Sequence, residues 1–249
     1  MDLLDRIDAS ARAGFRAVEC QSPYDVPAAA FGRRAADAGL EVALINSLRG
    51  DADAGDKGLA IFADRIDEFR ALTAESIDYA AGCGCPRLHL MTGTLAAGQT
   101  AAEADGVFLD NLAWAATRGR EAGVRILLEP LNAIDNPGYY LTSAEKARNL
   151  MAALDHPNVY LQYDLYHGGM NGEDLEAAVT RHFDVIDHIQ VAGVPGRHEP
   201  DTGGVDFGPA FALLEAKGYA GWIGAEYAPA GATLEGLGWA AVYGIGGAG

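Results

Sequence analysis

The chain has 249 residues, with 35 acidic against 18 basic side chains, a formal charge of −17 and a pI of about 4.6. Phosphate binding needs clustered Lys and Arg, so this balance argues against a nucleic-acid partner; it favours solubility and says little about fold. No apolar stretch approaches the ~20 residues of a membrane span and residues 1–10 are acidic and amphipathic, unlike a signal peptide, so a soluble cytoplasmic protein is the expectation.

Apolar spacing at Leu3, Leu4, Ile7 and Ala11 predicts a helix over residues 3–13, ended by Gly14 before the strand-like run RAVECQS. The same helix, glycine, strand order recurs with AAFGRRAADAG before LEVALINS, EFRALTAESIDYAAGCG before PRLHLMT, and DGVFLDNLAWAATRGREAG before VRILLEP. A helix over 142–154, with Thr142, Ser143 and Glu145 as its capping signal, precedes VYLQYD. Helices over 174–182 and 207–218 then precede VIDHIQVAG and WIGAEY. Strict alternation of seven strands with about eight helices, without a composition break, predicts one α/β domain over 1–249: a TIM-type (β/α)8 barrel lacking its first β-strand. An opening there exposes RAVECQS and WIGAEY as strand edges, which pair with other chains or are covered; a homo-oligomer and a covering role for the tail WAAVYGIGGAG are both left open.

Glu129, Asp164, Gln190 and Glu226 stand at or near the C-terminal ends of RILLEP, VYLQYD, VIDHIQ and WIGAEY. A carboxylate in a β-prone apolar run is costly to bury unless paired or bound to metal, and parallel strand ends converge on one barrel face. Three carboxylates and a carboxamide oxygen form a hard ligand set suited to Mg²⁺ or Mn²⁺. His89, flanked by Leu88 and Leu90, is expected to face the barrel interior and line the pocket. His167, three residues after Asp164, is placed in a loop within reach of substrate. Arg197, in VAGVPGRHEPDTGG, suits a substrate carboxylate through bidentate hydrogen bonds; its bland alternative is a surface ion pair with Glu199 or Asp201. His156, His182 and His188 read as structural, the glycine-rich terminus as no phosphate loop, and Cys20, Cys83 and Cys85 as ordinary reduced thiols.

The segments AGFRAVECQSPYD, GCPRLHLMTG, LLEPLN, YDLYH, HIQVAGVPGRHEPDTGGVDF and GYAGWIGAEYAPAG resemble the hydroxypyruvate isomerase family of xylose-isomerase-like barrels. The resemblance implies a divalent metal held by Glu129, Asp164, Gln190 and Glu226, and proton transfer by Glu129 and Glu226. From related ketose epimerases it implies substrate contacts for His167 and Arg197. The implied enzyme is an aldose–ketose type isomerase interconverting hydroxypyruvate and 2-hydroxy-3-oxopropanoate through an enediolate. Alternatives are a 2-oxo-tetronate isomerase, a ketose 3-epimerase, a multi-zinc hydrolase or endonuclease barrel, or an inactive truncated barrel.

Overall fold

The computed structural model describes residues 1–246. Seven parallel strands stand in chain order in one sheet: β1 (Ala17–Cys20), β2 (Glu41–Asn46), β3 (Arg87–His89), β4 (Arg125–Leu128), β5 (Val159–Asp164), β6 (Ile186–Val191) and β7 (Ile223–Ala225). The helices are α1 (Leu3–Arg12), α2 (Ala28–Asp37), α3 (Ile66–Cys83), α4 (Ala101–Glu121), α5 (Ala144–Leu154), α6 (Leu165–Met170), α7 (Leu175–His182) and α8 (Gly208–Ala216). Each parallel step needs a crossover, and the helices between strands supply it. Their helix-facing side meets a core that includes Phe31, Ile77, Phe108 and Leu112, packed on Ile45, Leu88 and Ile126 of the sheet.

Local chemistry explains the boundaries. Thr100 and Glu103 form a reciprocal capping box at the start of α4. The cap of α5 is Ser143, whose hydroxyl accepts from the Lys146 N–H, so that helix starts two residues later than the sequence pattern indicates. Gly84 ends α3 at φ 74°, a conformation a side chain would oppose.

Among the described residues the ladder ends at β1 and β7, the two edges expected from the sequence. Side chains bridge that seam. Trp222 Nε1 donates to Glu41 Oε2 at 3.0 Å, the Arg16 guanidinium lies 5.5 Å from the Trp222 ring centre, and Gln21 Nε2 donates to Glu226 Oε1. Within the described residues the tail forms a 3-10 helix, Glu235–Tyr243, rather than a strand. Its Tyr243 ring packs edge-on to Phe211 of α8, and the Gly246 N–H donates to Ala13 O after α1, so it links the helices that lead into the two edge strands. The last three residues of the tail lie outside the described residues.

Candidate active site

Parallel pairing gathers the strand ends at one mouth. Asp164 closes β5 opposite Gln190 of β6, Gln190 stands opposite Gly224 of β7, and Glu129 and Glu226 directly follow β4 and β7. Glu129, Asp164 and Gln190 are buried, while the Glu226 side chain keeps 21% of its surface exposed. Asp164 also caps α6, its Oδ1 accepting from the Tyr166 N–H at 2.9 Å. Among the described residues Glu129 Oε1 is buried without a hydrogen-bond partner.

The carboxylates oppose one another's ionisation. Burial, then the charges of Glu226 and Asp164, holds the Glu129 carboxyl well above the usual range. Burial and Glu226 push Asp164 up to about 7. Burial likewise raises Glu226, against the pull of Arg197. Burial disfavours the Arg197 charge, yet Glu226, Asp164 and Glu129 outweigh it and hold the guanidinium above its ordinary value.

Arg197 thus stands inside the acidic cluster, and the surface ion pair with Glu199 or Asp201 is not formed. Its Nη2 lies 2.5 Å from Glu226 Oε2 and 3.5 Å from Asp164 Oδ2, its Nε donates to the Glu226 carbonyl at 3.3 Å, and the Tyr166 ring lies 5.1 Å beneath it. The loop after β6 curls back, with Arg197 N–H to Gly193 O and Gly193 N–H to His198 O, and Arg197 adopts φ 54°. That turn aims the side chain inward; Glu199 is buried and accepts from the Ala230 N–H.

His167 is helical rather than in a loop: DLYH forms the first turn of α6, and the i, i+3 spacing stacks its ring over Asp164. Its Nε2 lies 3.7 Å from Asp164 Oδ2 and 3.8 Å from Glu129 Oε1. One ligand atom each from Glu129, Asp164 and His167 lies within 4.8 Å of the others, the spacing of a metal triad. The hydrogen bonds behind the ring argue for a different role for the histidine. Its Nδ1 accepts from the Asn132 backbone N–H at 3.1 Å, which places the ring proton on Nε2 and leaves that nitrogen a donor without a lone pair for metal. Asn132 Nδ2 lies 2.7 Å from the same Nδ1, and 2.9 Å from Asp135 Oδ2, which also accepts from the Tyr166 hydroxyl. Burial, then Arg197, depresses His167 to about 3, so the ring is neutral.

His89 also faces the interior. Its Nδ1 is 3.1 Å from Glu129 Oε2, although neither ring nitrogen is aligned for a hydrogen bond, and burial depresses it to about 3. Gln190 differs from the three carboxylates: its Oε1 accepts from Gln162 Nε2 at 2.5 Å and its Nε2 donates to Glu19 Oε2 at 2.8 Å. Asn132 lies in the polar loop after Glu129 that the sequence places on the catalytic face, whereas Glu19, Gln21 and Gln162 carry no such mark. Period two holds the signal for one of them, since Gln162 precedes Asp164 by two in β5 and the pair faces one side of the strand.

The fold and mouth define a class: a parallel β/α barrel whose strand ends gather buried carboxylates and neutral histidines around one arginine. The sequence model of the Xylose isomerase-like TIM barrel family matches residues 7–242, and the chain belongs to that family. It is 39% identical over 223 residues to the 2-oxo-tetronate isomerase of Cupriavidus necator, covering 90% of this chain and 86% of that protein. Identity to the hydroxypyruvate isomerase of Escherichia coli is 34% over 225 residues, covering 90% and 87%. A Brucella melitensis crystal structure described as AP endonuclease, family 2, superposes with a TM-score of 0.94 at 36% identity over 98% of this chain and 94% of that one. The chain is an isomerase of the aldose–ketose type.

Proposed function

We propose that the protein moves a carbonyl between C2 and C3 of a short 2-oxo-3-hydroxy acid, with hydroxypyruvate and 2-hydroxy-3-oxopropanoate as the pair. The observation that carries this reading is the crowding of Glu129, Asp164 and Glu226, of which Asp164 and Glu226 pair with Arg197. Surplus negative charge and the partnerless Glu129 Oε1 fit a divalent cation with oxygen ligands, Mg²⁺ or Mn²⁺. Glu129, Asp164, Gln190 and Glu226 would hold it, and when bound it supplies positive charge for the substrate's carbonyl and hydroxyl oxygens.

The chain's own groups do the rest. One of Glu129 and Glu226 takes the proton from C3, the C3 hydroxyl proton passes to the oxygen on C2, and the other glutamate delivers a proton to C2. The electron pair of the broken C–H bond passes through an enediolate, and no external oxidant is needed. The neutral His167, its Nε2–H held by Asn132, donates to a substrate oxygen and steadies that charge. His89 lines the pocket beside Glu129. Arg197 binds the substrate carboxylate, restricting the pocket to small acids.

The C. necator relative supports a second substrate, 2-oxo-tetronate, which carries the same 2-oxo-3-hydroxy acid unit with one more carbon. A nuclease reading after the Brucella description fits the mouth poorly: a multi-zinc site needs more strand-end histidines than His89 and His167, and His167 Nε2 is protonated. The test is a panel of hydroxypyruvate, 2-oxo-tetronate, free ketoses and an abasic-site oligonucleotide, each with and without EDTA. Turnover of the acids that EDTA abolishes and Mn²⁺ restores is expected. Turnover of ketoses alone, or oligonucleotide cleavage, would overturn the proposal.

A further inference from the structure

Barrel interiors are filled by layers of branched apolar side chains, but the layer beneath this mouth is polar. Gln162 of β5 and His188 of β6 stand opposite each other, two residues below Asp164 and Gln190 and facing the same way. Glu19 reaches them from β1 across the seam. Its Oε1 bonds His188 Nε2, its Oε2 accepts from Gln190 Nε2 at 2.8 Å, and its path crosses Gly224 of β7, where a Cβ would collide with the carboxylate. Burying this chain of polar groups is costly unless they bond one another, and Gln162 Oε1 and His188 Nδ1 still lack partners among the described residues.

A carboxylate can only accept hydrogen bonds, so Glu19 takes the NH2 end of the Gln190 carboxamide and not its oxygen. Gln162 Nε2 donates to the opposite end at 2.5 Å, but Gln162 is itself an amide whose Oε1 has no other partner among the described residues and could serve either orientation, so the Glu19 carboxylate makes the choice. The oxygen is thereby turned to the β5 side, where Asp164 stands. A hard cation needs that oxygen; the reversed amide would offer it an NH2 group.

We propose that Glu19, on the edge strand, is a positioning residue that orients the Gln190 carboxamide for metal ligation. This rests on the assignment of Gln190 among the metal ligands. The experiment titrates the purified protein with Mn²⁺ alone, followed by electron paramagnetic resonance, with metal-free melting recorded in parallel. Glu19→Met should weaken Mn²⁺ binding roughly 10- to 100-fold, the range for lost outer contacts of a ligand. Glu19→Gln, whose carboxamide can accept from Gln190 and donate to His188, should stay within about three-fold, since an orienting contact survives loss of the charge. In a Gln190→Leu background, Glu19→Met should cause no further loss, because its effect passes through Gln190. Should Glu19→Met fail to fold, Glu19→Asp, one methylene shorter, replaces it with the same expected direction. Equal losses in both backgrounds, or a Glu19→Gln variant as weak as Glu19→Met, would overturn the inference. A lowered melting temperature with unchanged affinity would do the same. If Gln190→Leu binds Mn²⁺ as tightly as wild type, or wild type binds none, the ligand assignment itself fails.

Discussion

Two charge clusters at opposite ends of the barrel invert each other. At the floor, Asp187 of β6 is shared by two arginines that open β3 and β4: Arg87 Nε reaches one oxygen at 2.7 Å and Arg125 Nη1 the other at 2.6 Å. At the mouth, Asp164 and Glu226 share Arg197, and among the described residues Glu129 Oε1 has no hydrogen-bond partner. In the floor cluster both carboxylate oxygens are bonded and Arg125, 35% exposed, is partly hydrated. The mouth is largely buried and short of cations, so its carboxyls resist ionisation and hold protons that an entering cation would displace. Identical residue types thus close into a satisfied ion pair at one end and are crowded together at the other, where the proposed chemistry is placed.

The contrast breaks first at Glu226. Replacing it with Gln should lower isomerisation on the order of 10³-fold, the scale of a lost general acid or base, while far-UV circular dichroism stays that of wild type. Turnover within a few-fold of wild type would sink the proton-transfer role.

A smaller effect should appear in pH dependence. Asp164 is pushed up to about 7 without metal and Glu129 is raised as well, so cation binding below pH 7 must displace protons, and Mn²⁺ affinity should fall by at least about ten-fold per pH unit there. The same raised value means the metal-free fold holds a proton that the unfolded chain has lost, so stability declines as pH rises through 7. His89 and His167, depressed to about 3, act in the opposite sense, raising stability with pH only until the unfolded histidines deprotonate near about 6.5. Metal-free melting temperatures should therefore drop between pH 6.5 and 8, and saturating Mn²⁺ should remove the drop; a flat metal-free profile would count against the crowded mouth.

Asn132→Ala tests the tautomer lock more gently. The backbone N–H to His167 survives, so the loss should be about 1 kcal/mol, roughly five-fold in kcat/KM. At the floor, Asp187→Asn should cost about 2 kcal/mol in denaturant unfolding, less than a fully buried pair because Arg125 is part-exposed, with Mn²⁺ affinity and kcat/KM unchanged. A change in metal affinity there would dissolve the distinction between the two ends.

Much of the barrel was legible in the chain because its signals are local. Gly14, Gly84 and Gly123 punctuate helices before apolar strands, and polar residues interrupt those strands at their C-terminal ends. The α6 turn was hidden because its six residues carry two glycines and no helical period. The inward course of Arg197 depends on a loop closing over residues that are distant in sequence, 29 positions from Glu226. Glu19 and His188 meet across 169 positions, so no window along the chain could connect them.

What the sequence by itself determined is the repeat of helix and strand, the order of the strands, and the strand ends on which Glu129, Asp164, Gln190 and Glu226 stand. Backbone periodicity and the shared direction of parallel strands set these. Only the tertiary structure decided which atoms those side chains present: the inward Arg197, the Nε2–H of His167 and the amide sense of Gln190. Each is a choice between conformers of similar intrinsic energy, settled by hydrogen-bond partners that other strands and loops bring within reach.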